Sequence, residues 1–224
     1  MTAAHLLVPS PLFGPRSWSP VAARLPLAAV PSLAAVWDRD PPYAPRVAEM
    51  VAAAAATLPN EPVRLVVHSG AGRLVPAIVE ASPRPVAEIV FVEAALPARA
   101  GPTRAAPPQR LDELRAMAVG GLLPRWTDWW AEEEVAALFP DAQTRAAVSA
   151  EQVRLPLRFY EEPLPNPPAW TRHPCRYVLF SPGYAVVAQD ARERGWPVTH
   201  LPGEHFHQLV DPAAVAAAIT AGAG

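Results

Sequence analysis

Val63-Arg64-Leu65-Val66-Val67-His68-Ser69-Gly70-Ala71-Gly72 is the stretch from which the rest of the chain is read. Residues 63–67 are mostly β-branched or aliphatic, as in a strand buried on both faces. His68 to Gly72 then turn sharply, and residues 73–81 continue with helical apolar spacing. A serine at the apex of a strand–turn–helix lifts its hydroxyl above the sheet edge. The helix start behind it supplies unpaired N–H groups and the positive end of a dipole. Acyl transfer needs those parts: an exposed nucleophile, and donors for the oxyanion that forms on attack.

So tight a turn requires small residues, and Gly70, Ala71 and Gly72 meet that requirement. The common nucleophile-elbow pattern is G-x-S-x-G; here Val67 and Ala71 stand at its two glycine positions. On this stretch alone, an ordinary glycine-containing strand-to-helix turn fits as well as a catalytic one.

Working outward, residues 5–8 read as a first strand, and Ser17 as the cap of a short helix reaching residue 25. Residues 27–33 read as a strand that Pro31 assigns to a sheet edge. A helix follows over 43–58. Beyond the elbow, a strand over 86–92 ends at Glu93, and residues 97–108 form a loop. Residues 110–170 have a helical pattern broken at Pro124, Pro140, Pro156 and Pro163. Strands at 176–180 and 197–201 flank a helix at 184–194. A last helix, 212–221, opens with Asp211 as cap. The fold class is therefore α/β: a doubly wound, mostly parallel sheet of about six strands in a single domain over 1–224. Residues 97–170, inserted before the penultimate strand, form a helical lid over the sheet edge where such folds bind ligands.

Composition narrows the functional classes. The chain has 224 residues, is 51% hydrophobic and carries a net charge of −2, enough for a substantial core. Its basic residues are all arginine and are scattered, so no nucleic-acid or membrane-surface patch is expected. The first residues lack a signal-peptide pattern, and no apolar run reaches membrane-spanning length. Cys175 is the one cysteine, so no internal disulfide or thiolate metal site forms. The expectation is a cytoplasmic protein without metal or organic cofactor, acting on a small apolar or acyl molecule.

A serine at an elbow, an acid after a later strand and a histidine after the last strand follow the order Ser…Asp/Glu…His. With the elbow, the C-terminal Leu201-Pro202-Gly203-Glu204-His205-Phe206 makes the chain resemble an α/β-hydrolase. This second motif is similar to the PGGHF turn of type II thioesterases. The resemblance spans nearly the whole chain and starts at the family's third strand, which implies a small, six-stranded version. It implies Ser69 as nucleophile and His205 as general base, with His207 as competitor and His68 as a structural or pocket-lining residue. The usual acid location, Ser181-Pro182-Gly183-Tyr184, has no carboxylate. Glu93 stands at the family's alternative position, while Asp190 is expected to face solvent, and Glu161 and Glu162 to end a helix. Gly70 is implied as one oxyanion donor. Because Pro11 has no N–H, the second donor becomes Leu12 or another group.

Trp126, Trp129 and Trp130 either line an apolar substrate pocket or pin the lid to the core. Arg73, in the first turn of the elbow helix, either faces the cleft, suiting an anionic substrate, or makes a surface ion pair. The expected activity is hydrolysis of an ester or thioester. The alternatives are a non-hydrolytic cyclisation, elimination or isomerisation on the same fold, and an inactive ligand-binding protein.

Overall fold

A computed structural model describes residues 4–221. The strands are β1 (Ala4–Val8), β2 (Ala28–Ala29), β3 (Val63–Ser69), β4 (Val86–Ala94), β5 (Thr103–Arg104), β6 (Pro163–Leu164), β7 (Cys175–Leu179) and β8 (Val198–His200). The α-helices are α1 (Ser19–Ala22), α2 (Tyr43–Ala56), α3 (Val75–Ala81), α4 (Pro108–Met117), α5 (Glu132–Ala136), α6 (Ala142–Ala150), α7 (Arg158–Glu161), α8 (Ala185–Glu193), α9 (His207–Val210) and α10 (Pro212–Thr220). Six strands form one sheet in the order β2-β1-β3-β4-β7-β8, and every pairing in it is parallel.

Parallel strands are covered on both faces, so their residues alternate between two cores rather than between core and water. Leu6, Leu65, Val67, Ile89, Phe91 and Tyr177 face one cluster, which α2, α3, α8 and the segment between β4 and β7 complete. Leu7, Val66, Val90, Val92 and Val178 face the other, closed by Trp18 just before α1, Val21 of α1, and Val215 and Ile219 of α10. The chain leaves β1 for the edge strand β2, then crosses back to β3 on β1's other side. The C-terminal ends of β1 and β3 therefore diverge at a switch point, where open α/β sheets leave a crevice.

Several sequence expectations are corrected. Ser17 does not cap a helix: its Oγ donates to the Gly14 carbonyl oxygen at 2.8 Å, and α1 is only four residues long. The expected strand over 27–33 shrinks to Ala28–Ala29, because Leu27 enters it with φ +55° and Pro31 has no N–H for the ladder. It is an edge strand, as Pro31 implied. The segment between β4 and β7 is not purely helical: β5 and β6 pair antiparallel, with Pro163 opposite Arg104. A two-stranded ribbon leaves one side of each strand unpaired, so a proline is tolerated there. Asp211 does cap α10, accepting from the Ala214 N–H at 2.9 Å. No helix among the described residues is long and apolar enough to cross a membrane.

Candidate active site

The backbone at the end of β3 leaves the β region at Ser69, whose φ and ψ are +56° and −128°. L-residues avoid that conformation, so the surrounding structure must hold it in place. A tight turn of 3₁₀ helix, Gly70–Leu74, comes first, and α3 continues from Val75 with Pro76 in its opening turn, where a missing N–H costs nothing. Gly72 makes this geometry possible. A Cβ there would lie 1.9 Å from the Ala95 carbonyl oxygen, so the elbow can approach β4 only with hydrogen at this position.

Glu93 occupies a second irregular position. Ser69 pairs with Ala94 and His68 with Val92, which leaves Glu93 as the extra residue of a bulge, with φ +44°. The bulge aims a fully buried carboxylate toward the end of β7. Glu93 accepts from the backbone N–H groups of Phe180 (2.7 Å) and Ser181 (3.1 Å), and from the Ser181 hydroxyl.

His205 arrives on the loop after β8. Phe206 beside it is fully buried, edge-on to Phe13 (4.9 Å) and stacked on Phe139 (5.1 Å), which anchors the loop. Gly203 admits the His207 ring, whose Nδ1 would stand 2.3 Å from a Cβ at that position. His205 Nε2 lies 3.2 Å from Ser69 Oγ, and its Nδ1 lies 3.9 Å from Glu93 Oε1. The second distance is about 1 Å beyond a hydrogen bond, and His205 Nδ1 has no partner. Serine, histidine and carboxylate thus come together in sequence, with the acid end loosely closed.

His68 lies behind these groups, fully buried, and does not line the cavity, which corrects the pocket-lining expectation for it. Burial holds its pKa well below the ordinary value, with help from His205 nearby, so the ring is neutral. Its Nε2–H donates to the His205 carbonyl oxygen at 3.1 Å, supporting the loop from beneath. His207 packs edge-on to Phe180 at 5.3 Å, away from Ser69.

A cavity of about 180 Å³ opens beside Ser69 and Gly70. Ser10, Pro11 and Leu12, from the loop after β1, form its opposite wall. The Gly70 N–H belongs to a first helical turn, which has no intrahelical acceptor. The Leu12 N–H makes only a long contact, 3.5 Å, to Ser10 Oγ. Trp126 and Trp129 line the cavity, and Trp126 also packs edge-on to Phe13 and Phe206 at 5.4 and 5.6 Å, so it both pins the segment and faces the site. Trp130 is outside the lining and 46% exposed, a correction explained by the backbone turning extended at that residue. Arg73 faces the cavity.

The other carboxylates are engaged elsewhere. Asp190 pairs with Arg99 and with Arg194 (2.7 Å) rather than standing free in solvent. Glu161 pairs with Arg115 at 3.0 Å, and Glu162 accepts from the Tyr43 N–H at 2.9 Å, tying α7 to the start of α2. Tyr184 was not anticipated. Its ring stacks on His205 (5.2 Å, 11° between planes), and its hydroxyl lies 3.5 Å from Ser69 Oγ. Burial raises its pKa, keeping the phenol protonated. The signal was the sequence Ser181-Pro182-Gly183-Tyr184, which supplies Glu93's hydroxyl partner and the ring over His205. Among the described residues, no group of three or more His, Cys, Asp or Glu side chains is placed to hold a metal ion.

No protein-family model and no curated protein matches the sequence. Solved structures do match. A pyrethroid hydrolase superposes with a TM-score of 0.71 at 17% identity, over 100% of both chains. The thioesterase domain of a curacin biosynthetic pathway gives 0.61 at 18%, over 97% of this chain and 90% of its own. Tomato methylketone synthase I, in complex with 2-tridecanone, gives 0.69 at 13%, over 100% and 98%. The chain has the α/β-hydrolase fold. The proteins of that fold that it is similar to include esterases, a thioesterase domain and other hydrolases.

Proposed function

We propose that the protein hydrolyses an ester or thioester through an acyl-enzyme on Ser69. The observation that carries this reading is the 3.2 Å contact between Ser69 Oγ and His205 Nε2 at a strained elbow beside a cavity. Ser69 Oγ attacks the carbonyl carbon as its proton passes to His205 Nε2. The resulting oxyanion accepts from the Gly70 and Leu12 N–H groups. His205 then gives the proton to the leaving oxygen or sulfur, and the bond to the leaving group breaks. Water, deprotonated by the same nitrogen, releases the acid and restores Ser69. Glu93 orients the imidazole and stabilises its charged form after a small closure toward Nδ1. Residues 97–170, which carry Trp126 and Trp129, serve as the lid.

One observation favours a second reading. Glu93 is engaged by three donors from the end of β7, and His205 Nδ1 is unpartnered. In a non-hydrolytic acid–base reaction Ser69 would serve only as a hydrogen-bond donor. The test is release of pentanoate from the pentanoyl thioester of N-acetylcysteamine by the wild type and by Ser69→Ala. Turnover by the wild type that is abolished in the variant supports acyl transfer. Turnover that survives in the variant rules out an acyl-enzyme on Ser69, and a folded wild type that releases no pentanoate favours the second reading.

A further inference from the structure

The cavity beside Ser69 is unbalanced in charge. Its wall includes two guanidinium groups, Arg73 and Arg110, and no aspartate or glutamate. Arg110 is already engaged, paired with Glu113 at 2.5 Å and lying over the rings of Trp129 and Trp130 at 5.1 and 5.6 Å. Arg73 is largely buried, and its one hydrogen bond runs from Nη1 to the Ala105 carbonyl oxygen at 2.9 Å. Among the described residues it has no ion-pair partner; the ionisable groups that act on it are the phenols of Tyr160 and Tyr184. Burial lowers its pKa, yet a guanidinium remains charged. A desolvated cation without a counter-ion is costly, and that cost is relieved when an anion binds.

The neighbouring groups complete an acceptor site. Tyr160 and Tyr184 both line the cavity, and burial keeps both phenols protonated, so each presents an O–H donor. A planar guanidinium matches the two oxygens of a carboxylate. One free cation with two neutral donors meets a single negative charge, whereas a phosphate dianion would bring a second charge with no free cation to face it. Leu114, Phe159 and Leu164 add an apolar stretch of wall that suits methylene groups. The volume, about 180 Å³, is below the roughly 300–1,000 Å³ of ordinary ligand pockets, so the chain must be short.

We propose that the acyl group transferred to Ser69 carries a second, free carboxylate that seats on Arg73 between Tyr160 and Tyr184, so that the substrate is a half-ester or half-thioester of a short dicarboxylic acid. This rests on the acyl-transfer reading above. The test compares glutaryl and pentanoyl thioesters of N-acetylcysteamine, which match in chain length and differ by the terminal carboxylate. The wild type should favour glutaryl in kcat/KM by at least about tenfold, the scale of one charge-assisted contact. Arg73→Met should collapse that ratio, and Arg73→Lys should restore part of it. A measurement without turnover separates this inference from the hydrolase reading: glutarate binding to Ser69→Ala, followed by tryptophan fluorescence and compared with glutaramide. Glutarate binding preferred over glutaramide, without turnover by the wild type, keeps the anion site and sinks the hydrolase reading. Pentanoyl turnover equal to or faster than glutaryl, or no preference for glutarate, overturns the anion site.

Discussion

Two clusters of polar side chains are built on the same strands, at opposite ends, and they are finished differently. Near the strand starts, His5, Arg64, Glu88 and Arg176 form a row across β1, β3, β4 and β7. Glu88 pairs through one oxygen with Arg64 (2.6 Å) and through the other with Arg176 (2.7 Å). Arg64 Nη1 lies 3.1 Å from His5 Nε2, and His5 Nδ1 lies 3.3 Å from the Pro26 carbonyl oxygen. Arg176 also donates to the Ala218 and Ile219 carbonyl oxygens, at the C-terminal end of α10. None of the four has a positive φ. At the strand ends the pattern reverses: His205 Nδ1 and His68 Nδ1 lack partners, Arg73 faces a cavity, and Ser69 and Glu93 hold positive φ. A closed polar cluster fixes structure. An open, strained one retains free valences for a substrate.

The largest effect expected from this contrast is at Ser69. Ser69→Ala should lower esterase or thioesterase kcat by about 10⁴-fold or more, measured with a urea midpoint near that of the wild type. Glu93→Gln should lower kcat by about 10³-fold, because the imidazole loses its orienting charge; a loss below tenfold would remove Glu93 from the mechanism. Glu88→Gln should do the opposite, costing about 3–5 kcal/mol in urea denaturation by leaving two buried arginines underpaired. In that variant the kcat of the folded fraction should be unchanged. If it fell with stability, the two clusters would not be separable.

His68 gives a pH-dependent test. Its folded pKa is depressed below the ordinary 6.5, so below about pH 6.5 the unfolded chain binds a proton that the folded chain refuses. Stability should therefore fall on acidification by about 1.4 kcal/mol per pH unit from this group, until its folded pKa is reached. His5 is depressed in the same direction by burial. His68→Gln, which keeps a donor but does not titrate, should remove one proton's worth of that slope in urea titrations between pH 5 and 7. The smallest effect is strain relief: Ser69→Gly should abolish activity yet stabilise by about 1 kcal/mol, seen as a Tm rise of about 2–4 °C.

Legibility in the sequence followed the range of the interactions. The six-stranded parallel sheet was readable because apolar runs such as residues 63–67 and 86–92 report burial locally. The elbow was readable because Gly70, Ala71 and Gly72 state their steric need in the sequence itself. The β5–β6 ribbon was not, since two residues per strand give no periodicity and their pairing spans some sixty positions. Nor was the role of Tyr184, whose ring meets His205 only after β7 and β8 are docked. The loop after β7 needs no acid of its own: the bulge at Glu93, the alternative position, sends a β4 carboxylate across to that place, where the Ser181 N–H donates to it.

The proposed acyl transfer depends on Ser69 and His205 acting as a nucleophile–base pair. Intact mass after exposure to a fluorophosphonate tests that most directly, on the wild type, Ser69→Ala and His205→Ala. One adduct on the wild type, absent from Ser69→Ala and from His205→Ala, is the predicted result. A folded wild type that takes no adduct would contradict it.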